Sequence, residues 1–194
     1  VFGVVRNDMS VAKWLVVGLV WLWAIRLGSF LLYRVSKVGK DNRFDDMRNS
    51  FWLFGRFWLL QAIVAWVVML PTSYFLQHGS EINVKTFLVI GLAISAAGLI
   101  IEAVADMQKF RFKMKKSNKD KWIEEGVWKF SRHPNYFGEI TFWFGIYLAT
   151  LTYLTSDQRL YGLTSPLLIM IVLLFMSGIP ILEKNADKKW GHLK

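Results

Sequence analysis

The sequence predicts an all-α, polytopic membrane bundle of about five transmembrane helices, and three observations predict it. The chain of 194 residues is 54% hydrophobic with a mean hydropathy of +0.34, yet it carries a formal net charge of +10. Apolar and charged residues must therefore be segregated into spans and loops. The apolar stretches have helical periodicity, and strand-like alternation is absent. The basic residues fall in alternate loops, as the positive-inside rule requires of successive crossings. The length suits a single domain, residues 1–194.

The spans follow in order. Residues 14–32 are apolar except for Arg26 and have the roughly 20 residues a bilayer crossing needs. Residues 51–70 form a second span, with Arg56 near its start, Gln61 inside it and Pro71 as its end. Residues 87–105 form a third, in which Gly91, Ser95 and Gly98 share one face and invite a close neighbour. Residues 136–154 form a fourth, with Gly138 and Gly145 spaced for the same purpose. Residues 163–182 form a fifth, whose end Gly178 and Pro180 are expected to bend.

The loop charges orient these spans. Arg34, Lys37, Lys40, Arg43 and Arg48 follow the first span. A basic loop, residues 106–134, follows the third, and Lys184, Lys188, Lys189 and Lys194 follow the fifth. The opposite side has only Arg6, Lys13, Lys85 and Arg159, so the basic loops are expected to be cytoplasmic. Ten Trp residues suit interfacial belts and an aromatic-packed bundle. The absence of Cys excludes disulfides, thiolate metal sites and a catalytic cysteine. The chain opens on Val1 and closes on Trp190-Gly191-His192-Leu193-Lys194, so a partial chain is expected.

Chemistry concentrates where the basic loop meets the fourth span. Pro134 suits a helix's first turn, and Asn135 and Glu139 then share one face at its mouth. A helix start favours anions, and Arg132 adds a bidentate fork. Below the third span, Glu102, Asp106, Lys109 and Lys113 follow one another at helical spacing. Topology alone explains the lysines of 113–121, whereas carboxylates at a membrane edge do not serve orientation. Asp106 or Glu139 pairing with Arg132 to hold the loop is the structural alternative. Arg26, roughly mid-span, needs a partner or a wet cavity, and Gln61 is a candidate to face it. His133 stands beside a Pro and has no companion at metal-ligand spacing, so it is read as a hydrogen-bond donor and no metal site is expected. Phosphate-loop, dinucleotide and nucleophile-elbow motifs are absent. The basic residues follow topology rather than an aromatic-interleaved groove, so nucleic acid is not expected as a partner.

Ser131-Arg132-His133-Pro134-Asn135-Tyr136-Phe137-Gly138-Glu139 closely resembles the bacterial membrane proteins of unknown function grouped with the steroid 5-alpha-reductase family. Trp23-Ala24-Ile25-Arg26-Leu27-Gly28, Gly39-Lys40-Asp41-Asn42-Arg43-Phe44, residues 102–110 and Ser177 to Lys184 resemble further pieces of that group, so the likeness covers nearly the whole chain. Sterol reductases share the Arg-His-Pro-Asn-Tyr core, and isoprenylcysteine carboxyl methyltransferases have a similar Arg-His-Pro-x-Tyr. The resemblance implies a reductase of the bacterial inner membrane that transfers a hydride from NADPH to an activated C=C of a lipid or steroid-like substrate. It implies cofactor contacts at Asn135, Glu139 and Asp106, with Lys113 and Arg111 matching basic positions more loosely.

On this reading Arg132, Arg111, Lys113 and the Pro134 helix start hold phosphates, and Asn135, Tyr136 and Glu139 orient the nicotinamide. His133 and Glu102 complete the expected cofactor-binding set. The carbonyl-polarising residues of the family have no secure match, which leaves Arg26, Gln61 and Tyr33 as candidates. The alternatives are a methyltransferase using S-adenosylmethionine and a non-enzymatic lipid-binding membrane protein. Against the methyltransferase, Glu183 is followed by Lys184 where those enzymes usually carry paired acidic residues.

Overall fold

The computed structural model describes residues 10–38, 50–77, 85–119 and 121–176, all of them helices and short connections. Among the described residues there are six α-helices: α1 Val11–Val38, α2 Phe51–Val68, α3 Leu70–Leu76, α4 Thr86–Met114, α5 Pro134–Thr150 and α6 Ser156–Ile171, the last continued by a π-helical turn, Val172–Met176. Among the described residues, α1, α2, α4 and α6 with its π turn are long and apolar enough to cross a membrane. The chain is an all-α polytopic membrane bundle. Its exposed large apolar side chains, Trp14, Trp21, Ile25, Phe51, Trp52 and Trp66 among them, are what a surface in contact with lipid should carry.

The expected fourth span is α5, whose 17 residues fall short of the four crossing segments, 28, 18, 29 and 21 residues long with α6 counted through its π turn. At 1.5 Å per residue it rises about 26 Å, and the 3-10 turn Leu151–Tyr153 adds about 6 Å. It reaches bilayer thickness only with that turn. It is also the centre of the bundle: Phe142, Trp143, Ile146 and Ala149 are all buried to within 1% of full burial.

The small residues on α4 and α5 form a packed seam rather than a cavity wall. A Cβ on Gly98 would lie 2.6 Å from the Gly138 carbonyl oxygen, and one on Gly138 would lie 2.6 Å from the Glu102 nitrogen. Gly91 and Gly145 meet each other's backbones further along, and Ser95 Oγ donates to the Phe142 carbonyl at 2.9 Å. Two helices approach this closely only where side chains are missing, which is how small residues hold membrane helices together. Around the seam, α1 packs on α4, and α6 packs on α5, α2 and α3.

Three boundaries differ from the sequence reading. Pro71 does not end a span; the helix breaks at Met69, and Pro71 sits in the first turn of α3, where its missing N–H costs nothing. The break leaves carbonyls at the end of α2 without an intrahelical donor, and Ser165 Oγ donates to that of Val68 at 2.8 Å. Removing this buried hydroxyl by Ser165→Ala is expected to cost about 1–3 kcal/mol, read as thermal unfolding in mild detergent. The last span starts at Ser156, seven residues before the expected Leu163, because Thr155 and Gln158 form a reciprocal capping box. Residues 106–114 are not loop: α4 runs 29 residues, about 44 Å, so its last turns project beyond a hydrocarbon core of about 30 Å. The expected bend at Gly178 and Pro180 lies outside the described residues; within them Pro166 sits inside the continuous α6, and the π turn begins at Val172.

Candidate cofactor site at the basic end of the bundle

The sequence-predicted residues of three helices meet where α4 leaves the apolar core. Arg26 of α1 reaches across to α4 and holds two carboxylates one turn apart. Its Nη1 donates to Asp106 Oδ2 at 2.8 Å, and its Nη2 pairs with Glu102 Oε1. The side chains are 17% exposed for Arg26, 4% for Glu102 and 14% for Asp106, so this is an ion cluster shielded from solvent. Such burial is tolerated only because both charges are paired and hydrogen-bonded. Arg26 thus spends its fork on the helix pair and is not turned toward Gln61.

Glu139 completes the cluster from α5. It lies close enough to Glu102, Asp106 and Arg26 to interact with all three charges, but it makes no hydrogen bond or ion pair among the described residues. One turn toward the helix mouth, the buried Asn135 Oδ1 has no hydrogen-bond partner either. Both groups are acceptors aligned on one face of α5, four residues apart. Glu102 also has the Trp23 indole of α1 as a hydrogen-bond partner. Neither Asp106 nor Glu139 pairs with Arg132, so the loop is not held by the salt bridge considered from the sequence.

The loop before α5 is fastened to α4 by other means. Gly126 has φ +62°, a left-handed turn, and a Cβ there would strike the Gln108 side chain. The Val127 N–H donates to Gln108 Oε1 at 3.0 Å, and the Trp128 indole N–H donates to the Ala105 carbonyl at 3.1 Å. Lys109 Nζ rests over the Trp128 ring, 4.6 Å from its centroid. These contacts deliver the chain to Pro134, the first residue of α5. His133 occupies the N-cap without a side-chain cap bond; its backbone N–H donates to Ser131 Oγ at 3.1 Å, and its ring stacks on Tyr136 with centroids 5.5 Å apart.

The other predicted residues lie around this core. Arg111 and Lys113 are exposed at the end of α4, and Arg132 is exposed just before α5, forming a cationic rim. Arg111 also borders a small polar cleft of about 210 Å³ with Gln108, Phe112, Lys115, Glu125 and Gly126. Tyr33 is 46% exposed near the end of α1, against Phe110 at 5.3 Å and under Lys37. Gln61 is exposed on α2 and does not join the cluster. Sequence reasoning gave no role to Gln108, Gly126 and Trp128, which position the loop. It also overlooked Trp23 and Trp143, whose rings meet edge to face at 4.9 Å beside the cluster. The spacing Asn135, Glu139, Trp143 was the available signal, one residue per helical turn on a single stripe.

A profile of the family described as protein of unknown function (DUF1295) matches residues 1–194. The probable O-methyltransferase ustE of Ustilaginoidea virens is 30% identical over 160 residues, 80% of this chain and 48% of that protein. The chain therefore spans about half the length of this curated relative. No solved structure matches.

Proposed function

Since this chain belongs to the DUF1295 family, we propose that it is an integral-membrane reductase related to the steroid 5-alpha-reductases, using NADPH to saturate an activated C=C of a lipid or steroid-like substrate. The basic end of the bundle faces the cytoplasm of a bacterial inner membrane. The observation that carries the reading is the α5 stripe, where Asn135 Oδ1 and the Glu139 carboxylate are acceptors with no donor beneath a cationic rim. A carboxamide or ribose supplies the N–H and O–H donors those groups call for, and phosphates match the cations. The residues present therefore fit a phosphorylated dinucleotide.

When bound, NADPH supplies the hydride. The chain's own residues do the rest. Asn135 and Glu139 orient the carboxamide end, with Tyr136 and His133 stacked beside them. Arg111, Lys113 and Arg132 hold the phosphates, and Arg132 and Arg111 can do so bidentately. Asp106 and Glu102 belong to the cofactor wall through the shape Arg26 gives it.

Calorimetric titration of one purified sample with NADPH and with S-adenosylmethionine tests the assignment. Asn135→Ala and Glu139→Ala are each expected to weaken NADPH binding by about 10–100-fold, the worth of hydrogen bonds to a charged or buried partner. Thermal stability should hold or rise in Glu139→Ala, because the change removes a carboxylate that nothing pairs. Unchanged affinity in both variants overturns the site.

One observation favours a second reading, a methyltransferase. The core gathers three carboxylates: Arg26 pairs with Glu102 and Asp106, Lys109 and Arg34 also lie near Asp106, and Glu139 makes no ion pair among the described residues. That balance suits a cationic sulfonium, and the relative from Ustilaginoidea virens carries a methyltransferase name. Binding of S-adenosylmethionine but not NADPH in the same titration selects it.

A further inference from the structure

The loop that fastens α4 to α5 also shapes a second site. Gln108, Arg111, Phe112 and Lys115 line a cleft of about 210 Å³ from the end of α4, and Glu125 and Gly126 line it from the loop. Its shape is held by the chain itself. Gln108 Oε1 accepts the Val127 N–H at 3.0 Å, and Gly126 makes its left-handed turn where a Cβ would strike the Gln108 side chain. At 3.6 residues per turn, Gln108 and Lys115 lie on the side of α4 away from Asp106 and Lys113, so the cleft is separate from the ion cluster. Arg111 has been placed among the holders of cofactor phosphates. Lys115 and Glu125 have no part in that reading, and they carry this one.

Two features specify what the cleft takes. The first is charge of both signs. Lys115 and Glu125 line the same space, both are exposed, and neither makes an ion pair among the described residues. Opposite charges that share a cleft without joining are answered by a ligand that carries an anion and a cation close together. A phosphate accepts from the Lys115 ammonium, with the Arg111 guanidinium at the edge, and a primary ammonium donates to the Glu125 carboxylate.

The second feature is depth. Counted from Thr86, a hydrocarbon core of about 30 Å is crossed in about 20 residues of helix, so the turns from Gln108 onward run through the headgroup layer. The loop bares aromatic side chains on both sides of Glu125 in the sequence: Trp122 is 49% exposed and Phe130 is 89% exposed. Aromatic side chains in a strongly basic loop are suited to rest on anionic, apolar lipid rather than in water.

We propose that this cleft binds the phosphoethanolamine headgroup of a membrane phospholipid, with the phosphate on Lys115 and the ammonium on Glu125. The lipid is a bound partner of the bundle's basic end, and no bond is made or broken. The inference goes beyond the reductase reading and does not depend on it. A trimethylated headgroup offers no N–H to Glu125, and a glycerol headgroup brings no cation there, so each binds less well.

Native mass spectrometry of the full chain in mild detergent tests this, with dioleoyl phosphatidylethanolamine, phosphatidylcholine and phosphatidylglycerol added in equal amounts. The wild type is expected to retain the ethanolamine lipid about threefold over each of the others. Glu125→Gln should remove that preference, and Lys115→Gln should lower retention of the ethanolamine lipid about fivefold, the worth of one cation at a membrane surface. Both changes fall on exposed side chains without ion pairs, so melting temperatures should match wild type. Equal retention of the three lipids by the wild type overturns the proposal, and so does a preference that survives Glu125→Gln or a retention that Lys115→Gln leaves unchanged. A second arm adds soluble O-phosphoethanolamine at the concentration of the lipid. Displacement of the lipid by it overturns the membrane source and makes a free phosphorylated amine the ligand. All of these outcomes read the same whether or not NADPH binds.

Discussion

Replacing Arg26 by alanine is expected to be the most damaging single substitution at the site, costing about 3–5 kcal/mol of stability in detergent. The reason is what it leaves behind. Glu102, 4% exposed, would stay buried with no countercharge of its own, Asp106, 14% exposed, would keep only Lys109 and Arg34, and Glu139 would face both across the cluster. Removing one partner of a buried pair costs more than removing all of them. The combined change Arg26→Met, Glu102→Gln, Asp106→Asn is therefore expected to recover most of the lost stability without restoring cofactor binding. Arg26→Lys should recover only part, because one ammonium cannot span two carboxylates as the Nη1 and Nη2 fork does. Thermal unfolding and NADPH titration of the three variants check this. Equal stability of Arg26→Ala and wild type would show that the ion cluster is not what joins α1 to α4.

The second large effect is expected at Gly138. A Cβ there would stand 2.6 Å from the Glu102 nitrogen and 2.7 Å from the Gly98 carbonyl oxygen, both backbone atoms that cannot turn aside. Gly138→Ala must therefore spread α4 from α5. Overpacking of this kind costs about 1–3 kcal/mol, at about 2–4 °C of melting temperature per kcal/mol for a chain of this size. Because Glu102 lies on the displaced helix beside Glu139, NADPH affinity should fall along with stability. That sets it apart from Asn135→Ala, where affinity falls alone. Gly18, on the exposed side of α1, has nothing within 4 Å of a Cβ, so Gly18→Ala is the matched control and should leave both quantities unchanged.

What could be read from the chain divides along physical lines. Apolar runs announce themselves, because a membrane span is a local property of about 20 residues. The α4/α5 seam was legible for a similar reason: small residues at Gly91, Ser95, Gly98, Gly138 and Gly145 recur at helical spacing. The sequence could not say whether those faces border a cavity or each other, because that depends on which helix neighbours which. The partners of Arg26 were hidden by the same fact. Glu102 and Asp106 are some 76–80 positions away, and Gln61 looked closer only because it is nearer in the chain. The place of Trp23 beside Glu102 was obscured by chemistry, since a tryptophan in an apolar helix reads as packing until its polar partner is seen. The start of α6 was available in Thr155-Ser156-Asp157-Gln158, a capping pattern masked by the polarity of the residues that follow it.

The ion cluster also bears on how the bundle is made. Arg26 enters the bilayer with the first described helix, and its carboxylate partners arrive only when α4 is synthesised, some 76 residues later. Until then α1 carries a lone charge that costs about 2.5–3.5 kcal/mol at the centre of an inserting helix. α4 brings an equivalent liability of its own in Glu102 and Asp106. Each helix is apolar enough to cross alone, yet each carries charge that the other pairs. The pairing of Arg26 with Glu102 and Asp106 therefore awaits α4, and it relieves both helices of a cost that each carries until then.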